Sequence, residues 1–294
     1  MDIPNSYIET IRRFTPELDI ESLELNCDGF VNHVVIVNRS QVYRFPKHDW
    51  GSRILANERK VLDLVAPYVE VDIPRFEYFS DSFASYKFIP GVPTTLGLLR
   101  SLSWAEREEV LSHIGSFIRG LHEVPMDEVK AAGIGPSGTN RDRTWWLRFY
   151  DDLRELLYPH LMPHQRESID VHFRPLLEDR FSLEYEPTLV NGDLAVYHLL
   201  FDPVKRRLGG VIDFGTVGVG DPGVDLAVML VNFGEAFTDV IRMAHPKLND
   251  CLDRARFWAG TMEFQWALRG FRDNNPTLLF AHLGGPRDLV ACGR

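Results

Sequence analysis

The side chains best suited to chemistry in this sequence are Asp193, His198 and Asp213. Asp193 closes Asn191-Gly192-Asp193 at the end of an apolar run, His198 follows five positions later, and Asp213 opens Asp213-Phe214-Gly215 after a second apolar run. A loop carboxylate can orient a hydroxyl and accept its proton. A second carboxylate and a neutral imidazole can share a divalent cation, although magnesium prefers oxygen donors. Phosphoryl transfer requires this combination: an acceptor hydroxyl in line with a γ-phosphate, a group to take its proton, and positive charge on the phosphate oxygens. Asp-Phe-Gly alone is a weak signal. Joined to an upstream Asp, the five-residue offset and an intervening strand, it becomes specific.

These residues need a scaffold that returns the chain on itself. Leu199-Leu200-Phe201-Asp202, a turn from Pro203 to Arg207, and Val211-Ile212 form a strand pair that carries Asp213 back beside the loop of Asp193. The surroundings are helical. Ser103 and Glu106 have capping-box spacing, and Leu111, Ile114, Ile118 and Leu121 share one helix face, with a stop near Val124-Pro125. Trp145 to Tyr158 and Gln165 to Leu177 are two further predicted helices, and Ala131 to Asn140 is a loop rich in small residues. The first third differs. After a short opening helix, Leu23 to Phe45 alternates apolar runs with turns, Asn57 to Leu64 has helical spacing, and Tyr78 to Ile89 is again strand-like before Pro90-Gly91. The expectation is an α+β fold of two lobes: residues 1–91 with an antiparallel sheet and one helix, and residues 92–294, mostly helical, with the catalytic loop and acceptor site.

Composition narrows the partners. A chain of 294 residues with 45% hydrophobic and 25% charged residues has enough apolar surface for a substantial core. The net charge of −10 argues against a nucleic-acid surface, which needs clustered Lys and Arg. Cys27, Cys251 and Cys292 are odd in number and widely spaced, supporting neither a disulfide framework nor a zinc site. No apolar run reaches the roughly 18 residues needed to span a bilayer, and Met1 to Ile20 contains no secretory-type apolar core. The expected protein is cytoplasmic and monomeric, without membrane or nucleic-acid partners.

The motifs from Asn191 to Asp202 and from Gly210 to Leu226 resemble the catalytic and metal-binding segments of aminoglycoside phosphotransferases. Protein kinases use the same order, with Asn in the slot that His198 occupies. Tyr43 to His48, Gly51-Ser52, Asn57-Glu58 and Gly91-Val92-Pro93 are similar to aminoglycoside 2''-phosphotransferases in particular, which also carry His in the metal slot, as do macrolide 2'-phosphotransferases. The resemblance implies a protein-kinase-like fold, with Asp193 catalytic, His198 and Asp213 holding Mg2+, and GTP or ATP as donor. It assigns Arg44 to the phosphates, Glu58 as its ion-pair partner, Asp28 and Gly29 to the nucleotide-covering turn, Lys87 to Ile89 to the base-binding hinge, and Ile212 to the nucleotide site. Tyr86 precedes the hinge as a bulky gatekeeper, which implies that GTP serves at least as well as ATP.

Two positions depart from the family pattern. Asn191 stands where a loop-buttressing His is usual, and Val228-Met229-Leu230-Val231 replaces a dense acidic stretch that would hold a polycationic acceptor. Glu235, Asp239 and Glu263 are the remaining acceptor carboxylates, and Asp273 is a further candidate. Asp221 and Asp225 are read as structural, bonding loop backbone. The first-choice acceptor is an aminoglycoside-like molecule; a macrolide or other hydroxylated metabolite, or a silent nucleotide-binding module, are the alternatives.

Overall fold

The computed structural model of the protein describes residues 3–27 and 29–283. Asp28 and Cys292 lie outside the described residues. Helix α1 (Asn5–Phe14) is followed by strands β1 (Leu23–Asn26), β2 (Asn32–Val37) and β3 (Gln41–Pro46), helix α2 (Asp49–Val65), and strands β4 (Phe76–Phe79) and β5 (Ala84–Lys87). The five strands make one antiparallel sheet in the order β1-β2-β3-β5-β4. Alternation along β3 decides what each face does. Tyr43 and Phe45 join Ile11, Val35, Val37 and Phe83 in the core beneath α1, while Arg44 points to the other face, where α2 offers Glu58.

The second lobe is helical apart from short strands. It runs through β6 (Val92–Pro93), α3 (Leu96–Ser101), α4 (Trp104–His122), α5 (Met126–Ala131), α6 (Arg143–Asp152) and α7 (Pro163–Leu177). It continues with β7 (Thr188–Val190), β8 (Leu199–Asp202), β9 (Arg207–Val211), β10 (Gly218–Gly220), α8 (Gly223–Phe233), α9 (Glu235–Ala244), α10 (Leu252–Arg272) and α11 (Pro276–Leu283). Helix α4 opens where the spacing predicts: Ser103 N–H donates to Glu106 Oε2 at 2.9 Å, and Glu106 N–H donates to Ser103 Oγ at 3.4 Å. Its apolar face buries Ile114, Phe117, Ile118 and Leu121 in the main core, where the Phe117 ring meets Phe214 edge-on at 6.1 Å.

The expected strand pair is β8 with β9, in antiparallel register from Leu199↔Val211 to Asp202↔Arg207. Two additional pairings flank it. Strand β6 joins the edge of β8, and β10, just beyond Asp-Phe-Gly, pairs with β7 just before Asn191. Both ends of the chemical island are therefore tied to each other by main-chain bonds. The helix expected from Trp145 to Tyr158 is shorter. After Asp152 the coil widens to a π turn over Leu153–Leu157 and tightens to a 3-10 turn over Tyr158–His160, because Pro159 has no N–H to continue an α-helix.

The lobes meet where α4 crosses the segment after α2. A Cβ at Gly120 would lie 2.1 Å from the Tyr68 carbonyl oxygen, a main-chain atom that cannot rotate away. Gly120→Ala is expected to cost about 1–3 kcal/mol in urea unfolding, despite the better helix propensity of Ala. An unchanged unfolding midpoint would show that this close approach does not exist.

Candidate active site

The loop that carries Asp193 leaves β7 at Asn191 and is held from behind by Asp225 on α8. Asp225 has no exposed surface, so its charge needs donors. Oδ1 accepts the Gly192 N–H at 2.6 Å; Oδ2 accepts the Asn191 N–H at 3.1 Å and Nε2 of His122 at 3.0 Å. Gly192 turns the chain at φ 75°, and a Cβ there would press 2.9 Å from Thr139 Cγ2. Asn191 links the two motifs. Its Oδ1 accepts the Asp193 N–H at 2.9 Å, its Nδ2 donates to the Asp213 carbonyl at 3.2 Å, and its own carbonyl accepts Thr216 Oγ1 at 2.8 Å.

The strand pair brings His198 and Asp213 to this loop. His198 Nδ1 donates to the Asp193 carbonyl at 2.7 Å, which leaves Nε2 facing Asp213 Oδ2 at 3.5 Å. A bare imidazole nitrogen and a carboxylate at that separation are two lone-pair donors aimed at one point, and a divalent cation satisfies both. Among the described residues no group of three or more His, Cys, Asp or Glu forms a metal cluster; a carboxylate oxygen and an imidazole nitrogen are nevertheless donors that suit a divalent cation. The residues therefore fit a magnesium ion bound with a nucleotide. Asp213 adopts φ 65°, the left-handed region, stabilised by the Gly215 N–H donating to its Oδ1 at 3.2 Å. Burial pushes the Asp193 carboxyl up to about 6, with Asp213 adding to the effect and His198 opposing it. Tyr197 stands exposed beside it, its ring edge-on to His198.

In the first lobe Arg44 donates to Glu58 Oε1 at 2.5 Å, both side chains being almost wholly buried. The same Oε1 accepts the Phe214 N–H at 3.2 Å, so a carboxylate of the first lobe bonds the Asp-Phe-Gly segment of the second. Burial works against the Arg44 charge, but Glu58, with Tyr86 and Asp213, holds its pKa above the ordinary value. Burial likewise raises Glu58, opposed chiefly by Arg44. Tyr86 is buried near these charges, and desolvation pushes its phenol up to about 12. Its ring stacks on Phe76 at 6.0 Å.

Of the other nucleotide-side positions, Gly29 sits in a turn fastened by Lys47, whose Nζ donates to the carbonyls of Cys27 and Gly29. Ile212 N–H donates to the His198 carbonyl at 2.9 Å, Phe88 N–H to Ser40, and Lys87 is exposed beside Glu77 at 3.7 Å. Ile89 packs over Gly210. The acceptor carboxylates are less available than the sequence suggests. Glu235 is held by both Nε and Nη2 of Arg256 at 2.8 and 3.1 Å, Asp239 pairs with Arg242, and Asp273 pairs with Arg269. Glu263 lies half-buried on α10. Asp221 bonds Arg254 and the Gly223 N–H, a structural arrangement. Reading the sequence alone misses His122, Lys47 and Thr139, because a His at the end of an apolar helix face and single residues in loops carry no local signal of the loop they touch.

The sequence profile of the phosphotransferase enzyme family (APH) matches residues 24–258, most of the chain, including Asp193, His198 and Asp213. The chain belongs to this phosphotransferase family. Among its relatives, the viomycin phosphotransferase of Streptomyces vinaceus is 28% identical over 202 residues, covering 68% of this chain and 67% of that protein. An aminoglycoside 3'-phosphotransferase of Streptomyces fradiae is 27% identical over 164 residues, 54% of this chain; the match spans little more than half, 57%, of that relative. The GDP complex of wild-type aminoglycoside 2'-phosphotransferase-IIIa superposes with a TM-score of 0.85 at 24% identity, covering 96% of each chain. This likeness establishes the two-lobed, kinase-like fold for the phosphotransferase described here. Among the described residues no helix is long and apolar enough to cross a membrane.

The buried pair yields a prediction for this phosphotransferase. Glu58→Ala strands the Arg44 charge and frees the Phe214 N–H, which is expected to cost about 3–5 kcal/mol in denaturant unfolding. Stability within 1 kcal/mol of wild type would mean that the pair is open to water.

Proposed function

We propose that this chain transfers the γ-phosphoryl group of GTP or ATP to a hydroxyl of an aminoglycoside-like small molecule. The observation that carries the reading is that His198 Nε2 lies 3.5 Å from Asp213 Oδ2, the Asp193 carboxyl feels the charge of both, and the buried Arg44–Glu58 pair reaches the same segment through the Phe214 N–H. Asp193 orients the acceptor hydroxyl and takes its proton as the oxygen bonds to phosphorus and the bond to the leaving diphosphate breaks. Its raised pKa makes it a stronger base than an ordinary carboxylate while leaving it ionised near neutrality. Arg44 meets the α- and β-phosphates with its guanidinium fork. His198 and Asp213 would hold the magnesium ion, which neutralises charge on the phosphate oxygens when bound. Gly29 covers the phosphates with its neighbour Asp28, and Lys87, Ile89 and Ile212 frame the base. The cleft divides a nucleotide lobe, residues 1–91, from an acceptor lobe, residues 92–294.

The acceptor assignment draws support from the aminoglycoside 3'-phosphotransferase relative and from the fold shared with the 2'-enzyme. Glu235, Asp239 and Glu263 are the carboxylates assigned to acceptor amines. Because Arg256 and Arg242 already pair the first two, an amine must displace an arginine there, which favours acceptors with fewer charges than a fully protonated aminoglycoside. The viomycin phosphotransferase relative keeps other antibiotic acceptors in view.

Asp193→Asn is expected to abolish phosphorylation, read as product mass gaining one phosphate across a panel of aminoglycosides, macrolides and polyols, while nucleotide affinity stays within about threefold. Wild-type turnover in this variant would place the chemistry elsewhere. Tyr86 narrows the back of the base site, so kcat/KM with GTP is expected to equal or exceed that with ATP. A strong ATP preference would contradict this role.

A further inference from the structure

Behind the catalytic loop lies a buried chain of titratable groups that the phosphoryl-transfer scheme does not use. His245 follows the last turn of α9, His122 ends α4, and Asp225 lies in the first turn of α8. His122 Nε2 is 3.0 Å from Asp225 Oδ2, and His122 Nδ1 is 3.1 Å from His245 Nε2, with the two rings edge-to-face at 5.1 Å. All three side chains are buried. An ionised carboxylate only accepts hydrogen bonds, so the shared proton on the His122–Asp225 edge belongs to Nε2. His122 Nδ1 is then free to exchange one hydrogen bond with the second ring.

We propose that His122, supported by His245, is a positioning residue of the catalytic loop, acting through Asp225 on the Asn191 and Gly192 N–H groups. Asp225 takes three donors, and two of them are the main chain immediately preceding Asp193. Without the His122 donor the buried carboxylate loses one of its three hydrogen bonds and rotates to regain a donor, which loosens its hold on a loop N–H. Displacement of that loop moves the Asp193 carboxylate and the carbonyl that fixes the His198 ring. His245 keeps His122 from turning. Burial lowers His245 to about 4, with His122, Arg119 and Lys247 acting in the same direction and Asp225 opposing, so the outer ring is neutral through the working range. Its place is set by its own N–H donating to the Ile241 carbonyl at 3.1 Å and by Arg119 donating to the adjacent Ala244 carbonyl at 3.1 Å.

This inference rests on Asp193 being the reacting carboxylate, so its test has one arm that depends on turnover and one that does not. In the full chain, GTP hydrolysis with water as acceptor is measured for His122→Leu, His122→Gln and His245→Phe beside wild type. His122→Leu is expected to lose about tenfold or more in kcat with KM for GTP within about twofold, as for other outer-shell supports. His122→Gln, whose amide N–H reaches the Nε2 position, is expected to recover most of that loss, and His245→Phe to fall between. A His122→Leu enzyme with wild-type kcat, or a Gln variant as impaired as Leu, would overturn the proposal. The second arm is imidazole 15N NMR of the wild-type protein, expected to show His122 protonated at Nε2. A bare Nε2 refutes the proposal whether or not the variants fold and whether or not wild type turns over GTP.

Discussion

A charge with no exposed surface must be surrounded by donors, and in this protein that requirement at Asp225 shapes the site. Two of its three donors are the main-chain N–H groups of Asn191 and Gly192, so the loop that carries Asp193 is where it is because a carboxylate on α8 cannot do without it. The same logic operates across the cleft. Glu58, also with no exposed surface, collects Arg44 from β3 and the Phe214 N–H from the segment after β9. One buried carboxylate thus fixes the loop of Asp193 and another fixes Asp-Phe-Gly, and Asn191 joins the two through bonds to Asp193 and Asp213. Each lobe contributes a carboxylate that the other could not replace without leaving a charge stranded.

The hydrogen-bond pattern gives the rings and oxygens of the site their direction. His198 could face either way, but its Nδ1 is occupied by the Asp193 carbonyl, so Nε2 alone is left toward Asp213. Asp213 accepts a strained left-handed backbone in return for aiming its carboxylate at the same point. These constraints come from the scaffold, and they pre-position groups whose chemistry requires little motion.

Much of this was legible in the sequence because it is written in local patterns. The apolar runs and turns up to Phe45, the Ser103 and Glu106 capping box and the five-residue offset from Asp193 to His198 each depend on residues a few positions apart. Asn191, at the position where a loop-buttressing His is usual, makes two side-chain bonds to the segments of Asp193 and Asp213. What could not be read depends on distant pairs. His122 is separated from Asp225 by a hundred residues of chain in sequence order, roughly, and ends a helix that reads as ordinary core. The pairing of Glu235 on α9 with Arg256 on α10 likewise converts an apparent acceptor carboxylate into the partner of a neighbouring helix, while Asp239 pairs with Arg242 one turn along its own helix. Composition gives the number of carboxylates; only packing tells which are already occupied.

The convergence of positions 198 and 213 on one cation can be tested without turnover. Pulsed electron paramagnetic resonance of the full chain with GDP and Mn2+ in place of magnesium is expected to show hyperfine coupling to a single imidazole nitrogen, lost in His198→Ala. A wild-type spectrum free of nitrogen coupling, with Mn2+ and GDP bound, would contradict the arrangement on which the proposed chemistry depends.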